Sequence, residues 1–177
     1  GNVPAGFARG VVQQAAAVAP TRMAPRAVEA NLRRLSADQG MLLRLDPPDL
    51  LVADLGLVTV RLNEDQFFPG YCFVVLKQHA AEPYHLTITD RTDVMEKVYL
   101  VARALETLFT PDKMNLQSLG NMVPHVHWHV VPRFRTDALW PRPIWSEPHE
   151  PVKLDAVNLE QRVSAIRAEI ARLKGSG

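Results

Sequence analysis

The chain has 177 residues, of which 47% are hydrophobic, so it can bury one core without disulfides. Lys and Arg number 20 against 19 Asp and Glu, and a formal net charge of +1 gives no general attraction to nucleic acid or to an anionic membrane. The single cysteine, Cys72, excludes an internal disulfide and any CxxC motif. We therefore expect a cytoplasmic protein without nucleic-acid or membrane partners.

Residues 1–40 are predicted to form an N-terminal leader and a short helix, partly disordered. The first 25 residues contain no acidic residue and several Ala, Gly and Pro, which is typical of a poorly ordered leader. After Pro25, residues Val28, Leu32 and Leu35 follow at helical spacing, and Gly40 is a suitable end for that helix.

Three strands and two turns are predicted next. Alternation in Leu51–Ala53 and again in Val58–Leu62, around a turn at Asp54–Leu57, predicts a hairpin with one buried face. Phe68–Gly70 is a second turn signal, and the apolar run at 71–76 predicts a central strand buried on both faces.

A long helix and two further strands are predicted in the middle of the chain. Asp90 or Asp93 is the expected helix cap and Pro111 the expected stop. The strands are expected near Asn115–Leu119 and Pro124–Val131. The helix is indicated by one apolar stripe, formed by Val94, Val98, Ala102, Leu105 and Phe109.

The C-terminal part is predicted to contain a strap and a helix. Six Trp and Pro residues in Thr136–Pro151 preclude regular structure and suggest a strap over an apolar surface. The 4-3-4-3 spacing of apolar residues over Leu159–Leu173 predicts a helix within 151–177, packed on the domain or on a dimer partner. The whole is an α+β fold with about five antiparallel strands, one long helix and two terminal helices, and its main domain spans 41–150.

Three histidines alternate in the segment PHVHWHVVPR: His125, His127 and His129. On a strand, alternate side chains share a face, so the three imidazoles are expected to point one way and Val126, Trp128 and Val130 into the core. A lone histidine on a strand is usually structural. Three in alternation each need a partner if buried, which indicates an anion or a metal nearby.

Two chemistries fit this row. A His-x-His pair can place two imidazoles on zinc, but the outer rings start about 13 Å apart along a strand. A fourth ligand would have to come from His79 or His85. In the phosphate interpretation, which we favour, the middle imidazole attacks a phosphorus atom and the flanking rings donate to its nonbridging oxygens, without a metal.

The segment NLQSLGNMVPHVHWHVVPRF resembles the signature of the histidine-triad (HIT) superfamily of nucleotide hydrolases and transferases. The similarity extends back through VRLNEDQFFPGYCFVVLKQH and covers roughly residues 50–135, the length of a HIT domain. It is greatest to a bacterial branch that resembles diadenosine-polyphosphate hydrolases. The resemblance implies a HIT-like fold for 41–150 and a homodimer.

The resemblance also implies roles for individual residues. His127 matches the nucleophile that takes the nucleotidyl group, His129 a donor to the phosphate, and His125 a ring that supports the row's geometry. Asn63 matches a position that holds the ribose hydroxyls, although it could be only a turn former.

The amides of the following hairpin are matched less closely. Asn115 matches, one residue out of register, an amide that contacts the phosphates, so Gln117 is a competitor. Asn121 matches the amide of a Gly-amide pair that shapes the phosphate loop. Asn115 and Asn121 could equally be hairpin residues, and Arg133 is interpreted as solvated surface.

One departure concerns Tyr71, which stands where many relatives carry a further histidine.

The expected function is cleavage at the α-phosphate of an adenine nucleotide, either a dinucleoside polyphosphate or a nucleoside phosphoramidate, through a nucleotidyl-histidine. The alternatives are a nucleotide-binding or sensing protein with little turnover, and a metal-dependent hydrolase. We expect no cofactor to be required, although a divalent ion can accompany a polyphosphate substrate.

Overall fold

The computed structural model describes residues 50–176, and within them one antiparallel sheet carries the fold. The predicted helix after Pro25 lies outside this range. The strand order is β1-β2-β3-β5-β4, which confirms the α+β class with a long helix before the last hairpin. The strands are β1 Leu51–Asp54, β2 Val58–Leu62, β3 Cys72–Leu76, β4 Lys113–Gln117 and β5 His127–Arg133, and the helices are α1 Ile88–Phe109 and α2 Ala156–Gly175.

The first hairpin forms where the alternation predicts it. Val58, Val60 and Leu62 are all buried, which confirms the core face of β2. In β1 the fully buried residue is Val52, which points to the face opposite to the partly buried Leu51 and Ala53. The prediction that Leu51 and Ala53 mark the buried face of β1 is therefore wrong.

Helix α1 begins at Ile88, six residues before the apolar stripe. Thr87 is its N-cap, and the Thr87 hydroxyl accepts a hydrogen bond from the backbone N–H of Asp90 at 3.1 Å. The prediction of Asp90 or Asp93 as the cap is therefore wrong, because the first turns of the helix are mostly exposed and have no apolar signal. The helix ends at Phe109, before Pro111, as predicted.

The core lies between the sheet and both helices. Val60, Val74 and Val130 from three neighbouring strands are buried in one cluster with the stripe of α1. Val163 and Ile166 of α2 are buried in the same cluster, so the apolar seam of α2 packs on its own domain. That seam is consequently covered and offers no free surface to a second copy.

The opposite face of the sheet is less completely covered. In β3, Cys72 and Val74 face the core, whereas Phe73 is only half-buried and, with Val75, borders an open cleft. The strand β5 begins at His127, three residues later than predicted, so His125 precedes it. For β3, the prediction that the apolar run at 71–76 forms a strand buried on both faces is only partly right.

The strap, Thr136–Pro151, contains no helix or strand, as its prolines predict. Arg133, at the end of β5, is 1% exposed, so its interpretation as solvated surface is wrong. Its guanidinium binds the carboxylate of Asp137 and the carbonyl of Arg142, both in the strap, and lies over the ring of Phe68. The strap folds back over Arg133, and local sequence around a residue does not reveal such a return.

No helix within residues 50–176 combines the length and the apolar character that crossing a bilayer requires.

Candidate active site

His127 and His129 project from β5 on the face away from the core. Their ring centroids are 4.9 Å apart in an edge-to-face arrangement. Between them in sequence, Trp128 packs against the core, and Val130 is fully buried there. The predicted alternation is therefore confirmed for these two histidines, because one side of the strand packs in the core and the other presents the imidazoles.

The two imidazoles line a cleft of about 320 Å³. Phe73 and Val75 of β3 form its floor, because β3 pairs with β5 so that Phe73 lies opposite His129 and Val75 opposite His127. The loop 119–123 forms one wall and Trp145 of the strap another. A largely apolar cavity with a few convergent polar groups is the usual form of a small-molecule site.

The ring of His127 is oriented by the backbone. Its Nδ1 lies 2.8 Å from the carbonyl oxygen of His125, and a carbonyl can only accept. Nδ1 of His127 therefore carries the proton and donates. In the neutral ring this leaves the lone pair on Nε2, the nitrogen that an imidazole nucleophile uses.

The ring of His129 is oriented by a phenol. Its Nδ1 lies 2.5 Å from the hydroxyl of Tyr71, and both side chains are buried. Burial, with a smaller contribution from nearby His127, lowers the pKa of His129 from 6.5 to about 4. Burial, with a smaller contribution from the charge of Asp65, raises the pKa of Tyr71 far above its usual range. At neutral pH the pair is thus a neutral imidazole and a neutral phenol.

His125 occupies a different place from the other two histidines. It is 1% exposed, and its Nε2 donates to the carbonyl oxygen of Leu76, the last residue of β3, at 2.5 Å. Its ring stacks on His79, with centroids 5.5 Å apart, and does not line the cleft. The expected row of three rings is therefore a pair in the cleft and a third ring that ties the start of β5 to β3.

Of the predicted amide residues, Asn121 lines the cleft. It follows Gly120, whose φ of +67° is the left-handed conformation that glycine adopts readily. Asn63 does not line the cleft; its side-chain oxygen accepts from the backbone N–H of Asp65 at 3.2 Å. This hydrogen bond is the one expected if Asn63 only forms the turn.

The two amides of β4 differ in their distance from the histidines. Gln117 is paired directly with His129 and shares its face of the sheet. Asn115 lies two residues away, opposite Val131, and its side-chain oxygen accepts from Arg133 at 3.2 Å. Neither borders the cleft, but Gln117 is the nearer of the two to the imidazole pair.

The histidines do not converge on a metal position. Within the described range 50–176, no group of three or more His, Cys, Asp or Glu side chains is arranged to hold a metal ion. Nδ1 of His127 faces a carbonyl and Nδ1 of His129 a phenol, while the ring of His125 lies against His79. The zinc hypothesis thus gains no ligand set from this part of the chain.

Sequence reasoning missed several residues of the cleft. Arg61 borders it although the alternation of β2 placed this residue on a polar outer face. Arg61, Phe73 and His129 lie opposite one another on consecutive strands, so they share one face. Trp145 was assigned only to the strap, yet its ring meets that of His129 at 4.9 Å. Knowledge of the strand register would have revealed Arg61 and Phe73, but a single sequence does not supply that register.

Comparison with known proteins places this geometry in a family. The HIT domain model matches residues 44–136. A histidine triad protein from Bradyrhizobium japonicum is 33% identical, with a TM-score of 0.64 over 68% of this chain and 89% of that one. A histidine triad protein from Marinobacter aquaeolei VT8 is 26% identical, also with a TM-score of 0.64, over 70% and 89%.

A curated relative is more distant. The asymmetrical bis(5'-nucleosyl)-tetraphosphatase of Schizosaccharomyces pombe is 28% identical over 81 residues, which are 43% of this chain and 44% of that protein. The match thus spans less than half the length of this relative. The HIT domain model, by contrast, covers more than half of this chain and includes the histidine strand. The chain therefore belongs to the HIT domain family.

Proposed function

We propose that the protein cleaves at the α-phosphate of an adenine nucleotide, either a dinucleoside polyphosphate or a nucleoside phosphoramidate, through a nucleotidyl-His127 intermediate. The observation that carries this proposal is the hydrogen bond from Nδ1 of His127 to the carbonyl oxygen of His125, at 2.8 Å. It leaves Nε2 free to attack in a ring that borders the cleft. The likeness to a bis(5'-nucleosyl)-tetraphosphatase supports a dinucleoside polyphosphate substrate.

The reaction divides into two displacements at phosphorus. Nε2 of His127 attacks the α-phosphorus and a new P–N bond forms. In a dinucleoside polyphosphate the bond from that phosphorus to the bridging oxygen breaks, and the remaining polyphosphate leaves with the electron pair. In a phosphoramidate the substrate's own P–N bond breaks instead, and the amine takes a proton from solvent as it leaves. The imidazole becomes positively charged, and the carbonyl of His125 stabilises that charge through the retained Nδ1–H. Water then attacks the same phosphorus, the P–N electron pair returns to Nε2, one proton passes to solvent, and the nucleoside monophosphate leaves.

The neighbouring groups have distinct tasks in this proposal. His129 donates to a nonbridging oxygen, and Asn121 shapes the phosphate loop from the cleft wall. The family resemblance assigns the leaving phosphates to Asn115 or Gln117 and the ribose to Asn63, and these amides would meet parts of the nucleotide that extend beyond the cleft. His125 supports His127 through its carbonyl and its own bond to Leu76.

The apolar part of the cleft is suited to a nucleoside. Phe73 and Val75 form a flat floor beside the imidazoles, and the ring of Trp145 stands at the wall. A nucleobase can stack on such aromatic faces without base-specific hydrogen bonds. No resident cofactor is needed for these steps, and a divalent ion would enter only with a polyphosphate substrate.

The test is turnover of a panel of adenylyl substrates, both dinucleoside polyphosphates and adenosine phosphoramidates. His127→Asn should reduce turnover at least 1,000-fold, roughly the effect of removing a nucleophile. The matched control is His85→Asn, because His85 is exposed and outside the cleft, and it should leave turnover unchanged. Equal turnover by His127→Asn and wild type would refute the mechanism.

A second candidate is a nucleotide-binding or sensing protein with little turnover. The observation that favours it is the neutral Tyr71–His129 pair, which brings no positive charge to the leaving group. Calorimetry that finds tight AMP binding, together with no hydrolysis across the panel, would select this candidate. Loss of activity on exhaustive chelation, with metal found by elemental analysis, would instead select a metal-dependent hydrolase.

We also propose a homodimer, as the family resemblance implies. The surface that supports it is at the start and middle of α1, where Ile88 and Tyr99 are large, apolar and exposed. Light scattering across micromolar concentrations should give twice the chain mass. A monomer mass throughout would refute the homodimer without affecting the proposed chemistry.

A further inference from the structure

The contact between Tyr71 and His129 is the feature of the cleft that the proposed chemistry leaves unexplained. The Tyr71 hydroxyl and His129 Nδ1 are 2.5 Å apart, and the two residues are 6% and 9% exposed. The rings are also packed together: Phe73 lies 5.1 Å from Tyr71 and 5.0 Å from His129, measured between centroids. The hydrogen bond is therefore held by a packed aromatic cluster and is not a mobile surface contact.

The direction of this hydrogen bond follows from the chemistry of the two groups. A phenol is both donor and acceptor, and a neutral imidazole nitrogen is one or the other. If Nδ1–H donated to the phenol, the buried hydroxyl hydrogen would need an acceptor elsewhere, and within residues 50–176 this hydroxyl makes no second hydrogen bond. The hydroxyl of Tyr71 therefore donates, and Nδ1 of His129 accepts.

We propose that Tyr71 is a positioning residue that holds His129 in the neutral tautomer with its proton on Nε2, so that the cleft presents one fixed, uncharged N–H donor to a bound phosphate. The two neighbouring histidines are then held in opposite tautomers. His127 has its proton on Nδ1, bound to a carbonyl, and its lone pair on Nε2. His129 has its lone pair on Nδ1, bound to Tyr71, and its proton on Nε2. One ring is thereby prepared to attack and the other to donate.

The groups around His129 do not compete for this role. The phenol occupies Nδ1, which leaves Nε2 as the only nitrogen free to meet a ligand. Burial, with a smaller contribution from nearby His127, keeps His129 neutral. Among the side chains that face His129 or border the same cleft, the titratable ones are Arg61, Tyr71 and His127.

The direct test is the tautomer of His129 in the protein without ligand, from the ¹⁵N chemical shifts of its two ring nitrogens. We expect Nε2 protonated and Nδ1 unprotonated between pH 5.5 and pH 8, with a coupling or cross-peak from the Tyr71 hydroxyl proton to Nδ1. That proton signal should disappear in Tyr71→Phe. A proton on Nδ1, or two tautomers in exchange in the wild type, would overturn the proposal.

The catalytic consequence rests on the proposed function and is tested separately. Tyr71→Phe keeps the buried ring, so it should lower kcat about tenfold, the worth of one hydrogen bond, and change KM less than threefold. Tyr84→Phe is the matched control, because Tyr84 is exposed, and it should leave both constants unchanged.

A double-mutant cycle shows whether Tyr71 acts through His129. In a His129→Asn background, Tyr71→Phe should cause less than a twofold further loss, because the group it positions is gone. A full tenfold loss in that background would overturn the proposal. If no substrate is turned over by the wild type, the proposed function fails and the ¹⁵N measurement still decides the tautomer.

Discussion

Arg133 and Asp137 form a buried ion pair at the point where β5 ends and the strap begins, with Nε and Oδ2 2.7 Å apart and side chains 1% and 9% exposed. The same carboxylate accepts from the backbone N–H of Phe134. The guanidinium reaches on to Asn115 of β4 and to the carbonyl of Arg142. One buried cation therefore connects the edge strand β4, the histidine strand β5 and the strap that carries Trp145.

Removal of this carboxylate should be costly. Asp137→Ala leaves the guanidinium of Arg133 buried without its counter-charge, and we expect the free energy of unfolding to fall by about 3 kcal/mol. Glu147→Ala is the matched control, because Glu147 pairs with Arg142 in the same strap but both side chains are half exposed. That change should cost about 0–1 kcal/mol in denaturant unfolding. Equal losses would show that burial of the first pair is unimportant.

Two glycines with the same backbone conformation should differ in their tolerance of a side chain. Gly56 and Gly70 have φ values of +83° and +82°, but a Cβ at Gly56 meets nothing within 4 Å, whereas one at Gly70 would lie 2.6 Å from the ring of Phe109. Gly56→Ala should cost only the backbone strain, about 1 kcal/mol. Gly70→Ala should cost about 1–3 kcal/mol more, and thermal unfolding of the two variants side by side measures the difference.

Trp145 should contribute to binding more than to stability. Its ring is 46% exposed, borders the cleft and meets the edge of His129. If it stacks on the nucleoside, Trp145→Ala should raise KM about tenfold, the worth of one stacking contact. The melting temperature should change little, since half of the ring is already in water. A fall in kcat at unchanged KM would instead assign the ring to the orientation of His129.

The lowered pKa of His129 predicts a pH dependence of stability. Burial, with a smaller contribution from His127, lowers this pKa from 6.5 to about 4, so between these values the unfolded chain binds a proton that the folded chain does not. Stability therefore falls as the pH falls through this window, by up to about 3 kcal/mol. Carboxylates act in the same direction, so the measurement compares urea unfolding of wild type and His129→Asn at pH 7 and pH 4.5. The variant should lose less stability than the wild type, and parallel losses would contradict the prediction.

The elements of the fold were largely predictable from local pattern. The alternation at Val58–Leu62, the stripe of α1 and the seam of α2 each state which side is buried, and the structure agrees. The caps and limits were less predictable. Thr87 begins α1 through a side-chain hydrogen bond outside the apolar stripe. Just before β5, the backbone N–H of Val126 donates to Ala80 and the ring of His125 to Leu76, and neither contact follows from local pattern.

Apart from Asn121, which the family resemblance indicated in the cleft loop, the site was predictable only where it lies on one strand. The alternation of β5 is sufficient to put His127 and His129 on the same face. Arg61, Phe73 and Trp145 reach that face from other strands and from the strap, and strand register and a returning loop are properties of the folded chain. The hydrogen bond between Tyr71 and His129 likewise joins residues 58 positions apart.

In the proposed reaction His127 bonds covalently to the α-phosphorus, and that bond can be trapped. The protein is mixed with an adenylyl substrate, quenched in alkaline denaturant, where phosphoramidates survive, and digested for mass spectrometry. We expect one adenylyl group on the peptide that contains His127, located on that histidine, and none in His127→Asn. Rapid turnover with no adenylyl group on His127 at any quench time would contradict it.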